Sequence, residues 1–288
     1  MMASMTGFAR REAAGVFGTL VCEIRSVNHR FLDVALRLPD SCRALETALR
    51  QLLAAELRRG KVDCTILHRP AVAGSTALDV DPTALERLLA RTRELAAAAG
   101  PAARIEVLDL LRWPGVLREE TLDAEHFAAV VRGLFAATLA DLKAARQREG
   151  ERLAALIRQR CASLEQLVAQ VGARAPEVQA RVRARLEERL AELGTEVNRE
   201  RLEQELVLLL QRLDVTEELD RLRGHLAETG RTLAAPEPAG RRLDFLMQEF
   251  NREANTLSSK SQDLETTRAA VEMKVLIEQM REQVQNIE

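Results

Sequence analysis

The sequence predicts an α+β protein: a small mixed N-terminal domain containing a β-β-α-β unit, then long helical arms, then an all-α C-terminal domain. Three observations carry this. Apolar residues alternate with period two only between Gly18 and His68, whereas from about Asp123 onward they recur at helical spacing. Ala, Leu, Glu and Arg dominate the middle of the chain. Aromatic residues are only 3% of the 288, with no Tyr and one Trp, so the core has to be built from Leu, Val and Ala. The expected division is 1–141 for the mixed domain, 142–193 for the arm and 194–288 for the C-terminal domain.

Between Gly18 and Leu38, Leu20, Cys22 and Ile24 alternate with polar partners, and after SVNHR so do Leu32, Val34, Leu36 and Leu38. This reads as two strands joined at a hairpin tip. Pro39 and Asp40 stop the second, and Asp40 or Ser41 is placed to cap a helix to about Leu57 with Leu45, Leu49, Leu52 and Leu53 inward. Gly60 ends that helix and Lys61–His68 forms the third strand. Asp79-Val80-Asp81-Pro82 opens a further helix up to Gly100-Pro101, with Pro82 in its first turn. Ile105–Leu111 fits a short helix or a strand, and Trp113-Pro114-Gly115 a loop. The helical remainder is expected to break at Gly172–Pro176, near Gly194 and near Asp214, leaving antiparallel arms over Leu142–Leu193. Asp214, with Glu217 reaching back, or Thr216 would cap the next helix. Ala227–Gly240, with Pro236 and Pro238, reads as a mobile surface connection. Ser259-Lys-Ser-Gln262 matches a capping box for the last helix, where Met273, Ile277, Met280, Val284 and Ile287 form a heptad seam for a neighbouring helix or subunit.

A net charge of −2 speaks against a generally basic nucleic-acid binder, so any RNA site must be local or built by several subunits. Only four of the 42 basic residues are Lys; the Arg bias suits phosphate forks but also follows from genome composition. The four cysteines form no CxxC pair, which argues against zinc or a disulfide framework and for reduced thiols. With no signal-peptide pattern and no run approaching the roughly 20 apolar residues of a membrane helix, a cytoplasmic protein without membrane contact is expected. No Walker loop, GxGxxG, HExxH or nucleophile elbow occurs, so no nucleotide cofactor is expected.

The chemistry concentrates in Arg241–Lys260, RRLDFLMQEFNREANTLSSK. Leu243, Leu246, Met247, Phe250, Ala254 and Leu257 form one apolar stripe. Asp244, Gln248, Asn251 and Asn255 form a strip on the opposite surface, and Arg242, Glu249 and Glu253 a second, with Phe245 between them. Carboxylates stacked with amides suit a hard divalent cation such as magnesium or manganese, and Glu249 and Glu253 are one turn apart, within reach of one ion. The alternative is a solvated face on which these carboxylates pair with Arg242 and Arg252. His225 is either a structural histidine near a helix end or a general acid or base. Asn28, His29 and Arg30 are either a polar turn or contacts for RNA phosphates and bases. Arg58, Arg59 and Lys61 form a small basic turn around Gly60.

The run LDFLMQEFNREANTLSSKSQDLETTRAAVEMKVLIEQMREQVQNIE resembles the C-terminal signature of the YicC-like endoribonuclease family. MTGFAR near the start, EIRSVNHRFLD at 23–33 and RRGKVD at 58–63 resemble it too, so the likeness touches both ends of the chain. EELDRLRGH resembles the family's EELDRL-x-SH, which points to Glu218, Asp220 and His225 as site candidates. Gly224 replaces the usual Ser there, and Ser258 stands where the NTLGSK pattern has Gly, which would stiffen a turn before Lys260. The resemblance implies a metal-dependent endoribonuclease acting in RNA and small-RNA turnover, assembled as a hexamer whose arms close around RNA. On this reading Glu249 and Glu253 are metal ligands or base, with Asp244 a further ligand. Asp244, Asn251 and Asn255 orient them, His225 acts as acid or base, and Arg242, Arg252 and Lys260 hold phosphate. The competing reading is a non-catalytic oligomeric RNA-binding or scaffolding protein whose amide strip is a subunit seam.

Overall fold

A computed structural model describes residues 2–70, 80–100, 106–117, 123–192, 199–235 and 237–288. The expectations at Asp79, Ile105, Gly194 and Pro236 lie outside the described residues. The α+β architecture is as expected, with one more strand than the alternation announced. Strands β1 (Gly7–Gly15), β2 (Gly18–Val27), β3 (Leu32–Arg37) and β4 (Gly60–Arg69) form one sheet in the order β1-β2-β4-β3. In the inward register of β1 the only apolar side chains are Ala9 and Ala13, so it carries no bulky alternation. Pairing with β2 holds it, as does Arg11, which grips Asp141 of a long helix at 2.5 Å. SVNHR is not a hairpin tip. β4 lies between β2 and β3, antiparallel to the first and parallel to the second, so residues 28–31 cross the end of β4.

A 3-10 turn (Asp40–Leu45) with no side-chain cap leads into α1 (Glu46–Glu56). Ser41 does not cap; its hydroxyl meets His68 Nδ1 at 3.2 Å. Leu49 and Leu53 are fully buried, whereas Leu52 is partly exposed. Helix α2 (Pro82–Ala99) starts on Asp81, whose carboxylate accepts from the Ala84 N–H, and α3 (Val107–Arg112) is short.

Helix α4 (Ala124–Glu192) runs 69 residues, about 100 Å. It passes through Gly172–Pro176 without the expected break. Val168 and Val171 are buried before the proline, so packing outweighs one lost backbone bond. Phe127, Val131, Phe135, Leu139 and Leu142 of α4 complete the N-terminal core under the sheet. Farther along, Leu153, Ile157, Leu164 and Val171 enter a second core with α6 (Thr216–Ala234), α7 (Gly240–Lys260) and α8 (Leu264–Val284). After Val171 the described part of α4 buries no side chain, and α5 (Arg199–Leu213) returns beside it through Arg183–Glu203 at 2.7 Å.

Other boundaries also moved. At the start of α6, Asp214 accepts from the Thr216 N–H at 2.9 Å, while Glu217 pairs with Arg221 instead of reaching back. α6 continues through the expected loop to Ala234 because Thr229 and Leu233 are buried in the bundle. α8 is capped by Asp263, which accepts from the Thr266 N–H and is held by Arg174 at 2.6 Å and Arg181 at 2.7 Å, and not by Ser259. The seam residues of α8 are all buried within this bundle.

The two ends of the chain meet on α4. Ser4 bridges Ile287, Met5 N–H donates to Asn286, and Glu288 N–H donates to Ala3. Arg146, 2% exposed, donates to the Ser4 carbonyl and pairs with Glu288. A Cβ on Gly150 would lie 2.5 Å from the Met2 carbonyl oxygen, so the N-terminal segment crosses α4 where glycine leaves room. Among the described residues, no helix is long and apolar enough to cross a membrane.

Candidate active site between α6 and α7

The apolar stripe of α7 is buried throughout, no residue of it more than 2% exposed, with each large side chain contributing about 1.5–3 kcal/mol. That burial fixes the rotation of α7 and so decides which polar residues face α6. The two helices form an antiparallel hairpin with a clear register. Glu218 meets Lys260 at 2.7 Å, Arg221 meets Glu253 at 3.4 Å and Arg242 meets Glu228 at 3.1 Å. The His225 ring stands edge-on to Phe250, centroids 5.7 Å apart.

Within this register His225, Glu249 and Glu253 converge, their ligand atoms all within 4.8 Å of one another. Glu253 is 2% exposed, and Glu249 lies nearer solvent. Neither is tightly paired: Arg221 approaches Glu253 at 3.4 Å and Arg252 approaches Glu249 at 3.9 Å. The alternative of a solvated face is half right, since Arg252 does approach Glu249, but Arg242 turns away to Glu228. Two loosely held carboxylates and an imidazole, one wall buried and one open, fit a divalent cation with bonds of about 2.1 Å. His225 sits mid-helix and not near a helix end.

The remaining candidates are not brought to this point. Asp244 is five residues from Glu249, about 140° around the helix, and accepts from Gln248 at 3.1 Å. Asn255 donates to Asn251 at 3.4 Å on that same far strip. Lys260 clasps the start of α6 through the Asp214 carbonyl and Glu218, which is buried with one oxygen unpartnered among the described residues. Asp220 pairs with Arg223 in solvent. Asn28 donates to the Gln285 carbonyl, His29 bonds the Phe31 carbonyl and Arg30 stacks over Phe31. That group lies at the C-terminal end of α8, whereas Glu253 is about 20 Å along α7 from Gly240, which abuts Ile287. Arg59 of the basic turn donates to the Arg30 carbonyl. No turn precedes Lys260: Ser258 is inside α7, and a Cβ at Gly224 would meet nothing within 4 Å. Arg221 was missed, although it precedes His225 by one turn in EELDRLRGH and so shares its face.

Two family models match the chain: Endoribonuclease YicC-like, N-terminal region, over residues 2–155, and Endoribonuclease YicC-like, C-terminal, over 171–288. The chain belongs to the YicC-like endoribonuclease family. It is 41% identical over 288 residues to a protein of Haemophilus influenzae named Probable endoribonuclease YicC, covering 100% of both chains. A protein of Clostridioides difficile with the same name is 30% identical over 293 residues, again with 100% of both chains covered. The C-terminal family match includes all of α6 and α7, and so the whole convergent trio.

Proposed function

We propose that this protein hydrolyses phosphodiester bonds within RNA as a metal-dependent endoribonuclease, with His225, Glu249 and Glu253 holding one divalent cation. The observation that carries the reading is the convergence of these three side chains from two helices, in a chain of an endoribonuclease family. One imidazole beside two carboxylates favours manganese over magnesium, because nitrogen donors suit softer ions. When bound, such an ion supplies charge stabilisation for the phosphoryl oxygens and a more acidic water.

The protein's own groups divide the remaining work. Glu253, buried and steadied by Arg221, fixes the dry wall of the site. Glu249 faces the open side, where its carboxylate can accept a proton from an attacking water. Arg221 and Arg252, both about half exposed or more, present guanidinium groups at the rim for the phosphate. RNA turnover in the cytoplasm by a hexamer belongs to the same proposal, tested by the mass of the purified assembly.

The experiment is incubation of purified protein with end-labelled structured RNA in manganese, magnesium or EDTA. Internal cuts that vanish in EDTA and in Glu249→Gln, with assembly size unchanged, support the proposal. Cuts that persist in EDTA move the chemistry to His225 and the 2′-hydroxyl, and binding without cutting leaves a scaffold.

A further inference from the structure

We propose that Phe245 is a stacking platform for one unpaired base of the substrate, set beside the cleavage centre. The inference rests on the RNA reading of that centre and adds its substrate class: a single-stranded nucleotide next to the scissile bond. Every other large apolar side chain of α7 is buried, whereas Phe245 is 51% exposed. It precedes Glu249 by one turn, about 6 Å along the axis and about 40° around it, so the ring stands on the same rim as the open carboxylate.

The surroundings favour nucleic acid over a protein surface. Arg241, Gln248 and Arg252, one or two turns from Phe245 on the same face, are all exposed. A subunit contact would bring a contiguous apolar patch with few charges at its centre. An isolated ring among guanidinium groups instead matches single-strand binding, where cations track the backbone and a ring accepts any base. Cleavage would then depend on an unpaired base and not on its identity, and a continuous duplex would be a poor substrate.

The test uses short single-stranded RNA carrying one 2-aminopurine, bound to the full-length protein in EDTA so that no strand is cut. Quenching is expected with the native protein and with Phe245→Trp, and its loss with Phe245→Ala, together with roughly 10-fold weaker binding. An abasic nucleotide at the quenched position should weaken native binding by the same factor and leave Phe245→Ala unaffected. An equal abasic penalty in both proteins, or no quenching by the native protein, overturns the proposal. A change of assembly mass in Phe245→Ala also overturns it and assigns the ring to a subunit contact. If manganese-dependent cutting is intact while these effects are absent, only the stacking role fails. Absence of any RNA binding sinks the RNA reading as well.

Discussion

Replacing Glu253 by Gln separates a metal site from a structural cluster. The amide keeps the shape of a side chain that is 2% exposed, so the core around Phe250 and Ala254 is undisturbed. The charge terms it removes nearly cancel. Repulsion from Glu249, within 4.8 Å, is worth at least about 3.5 kcal/mol at an effective dielectric of about 20. Attraction to Arg221 at 3.4 Å is worth about 5 kcal/mol on the same scale, cut back because Arg221 is half exposed and shared with Glu217. The metal-free variant should therefore stay within about 1 kcal/mol of the native protein. Manganese at about 100 times its dissociation constant adds about 2.7 kcal/mol to the native protein. For a chain of 288 residues that raises the melting temperature by about 4–5 °C. Thermal melts followed by circular dichroism, in manganese and in EDTA, should show this increment in the native protein and almost none in Glu253→Gln. A variant that keeps the full increment at the same manganese concentration would refute the assignment.

Other consequences follow from the same geometry. Phe250→Leu should cost about 1 kcal/mol and weaken manganese binding about 10-fold in a titration, because it frees the His225 ring from its edge contact. Gly150→Val should force Met2 and Ala3 off α4, costing about 2–3 kcal/mol, with faster hydrogen exchange at Ser4 and Met5 as the readout. Arg174 first, then Arg181 and the Thr266 N–H, hold the Asp263 carboxyl well below the usual range, against burial. A depressed folded-state value means that this stabilisation is present above about pH 4 and lost as pH falls below it. Asp263→Asn should thus lower stability at pH 7 by about 1–2 kcal/mol and flatten the acid limb of a urea-melt series. Burial pushes the Cys161 thiol up to about 11, so its alkylation at pH 8, followed by mass spectrometry, should be about 100-fold slower than that of a free cysteine.

What was legible in the sequence was what local periodicity encodes. The stripe of α7 and the seam of α8 need only a 3.6-residue repeat, and both are buried as the spacing requires. Glu249 and Glu253 follow from one turn of that helix, but Asp244 shows where the argument stops. Sharing a polar surface in sequence left it about 140° from Glu249 and about 180° from Glu253 around the helix. His225 was a candidate by residue type and was strengthened by the family resemblance, but its distance to Glu253 depends on the hairpin register, set by pairs such as Glu218–Lys260 that no single-helix pattern contains. β1 escaped because Ala9 and Ala13 give a weak alternation, and the order β1-β2-β4-β3 cannot be read from strands taken one at a time. The expected break at Gly172–Pro176 and the first part of the expected Ala227–Gly240 loop proved helical for one reason: buried neighbours such as Val171 and Leu233 outweighed local propensity.

Pro176 leaves the Gly172 carbonyl without its helical donor at the point where α4 has just made its last buried contact, Val171. The helix runs on unbroken, and some 16 residues, about 24 Å, extend past the proline to Glu192, tied back to the bundle by Arg181 on Asp263 at 2.7 Å. A swing of about 20° there, the scale on which prolines bend helices, would displace that end by roughly 8 Å and would strain the Arg181–Asp263 pair. The reach of the α4–α5 limb is thus set by one weakened turn and one ionic clamp, next to the bundle that carries His225, Glu249 and Glu253.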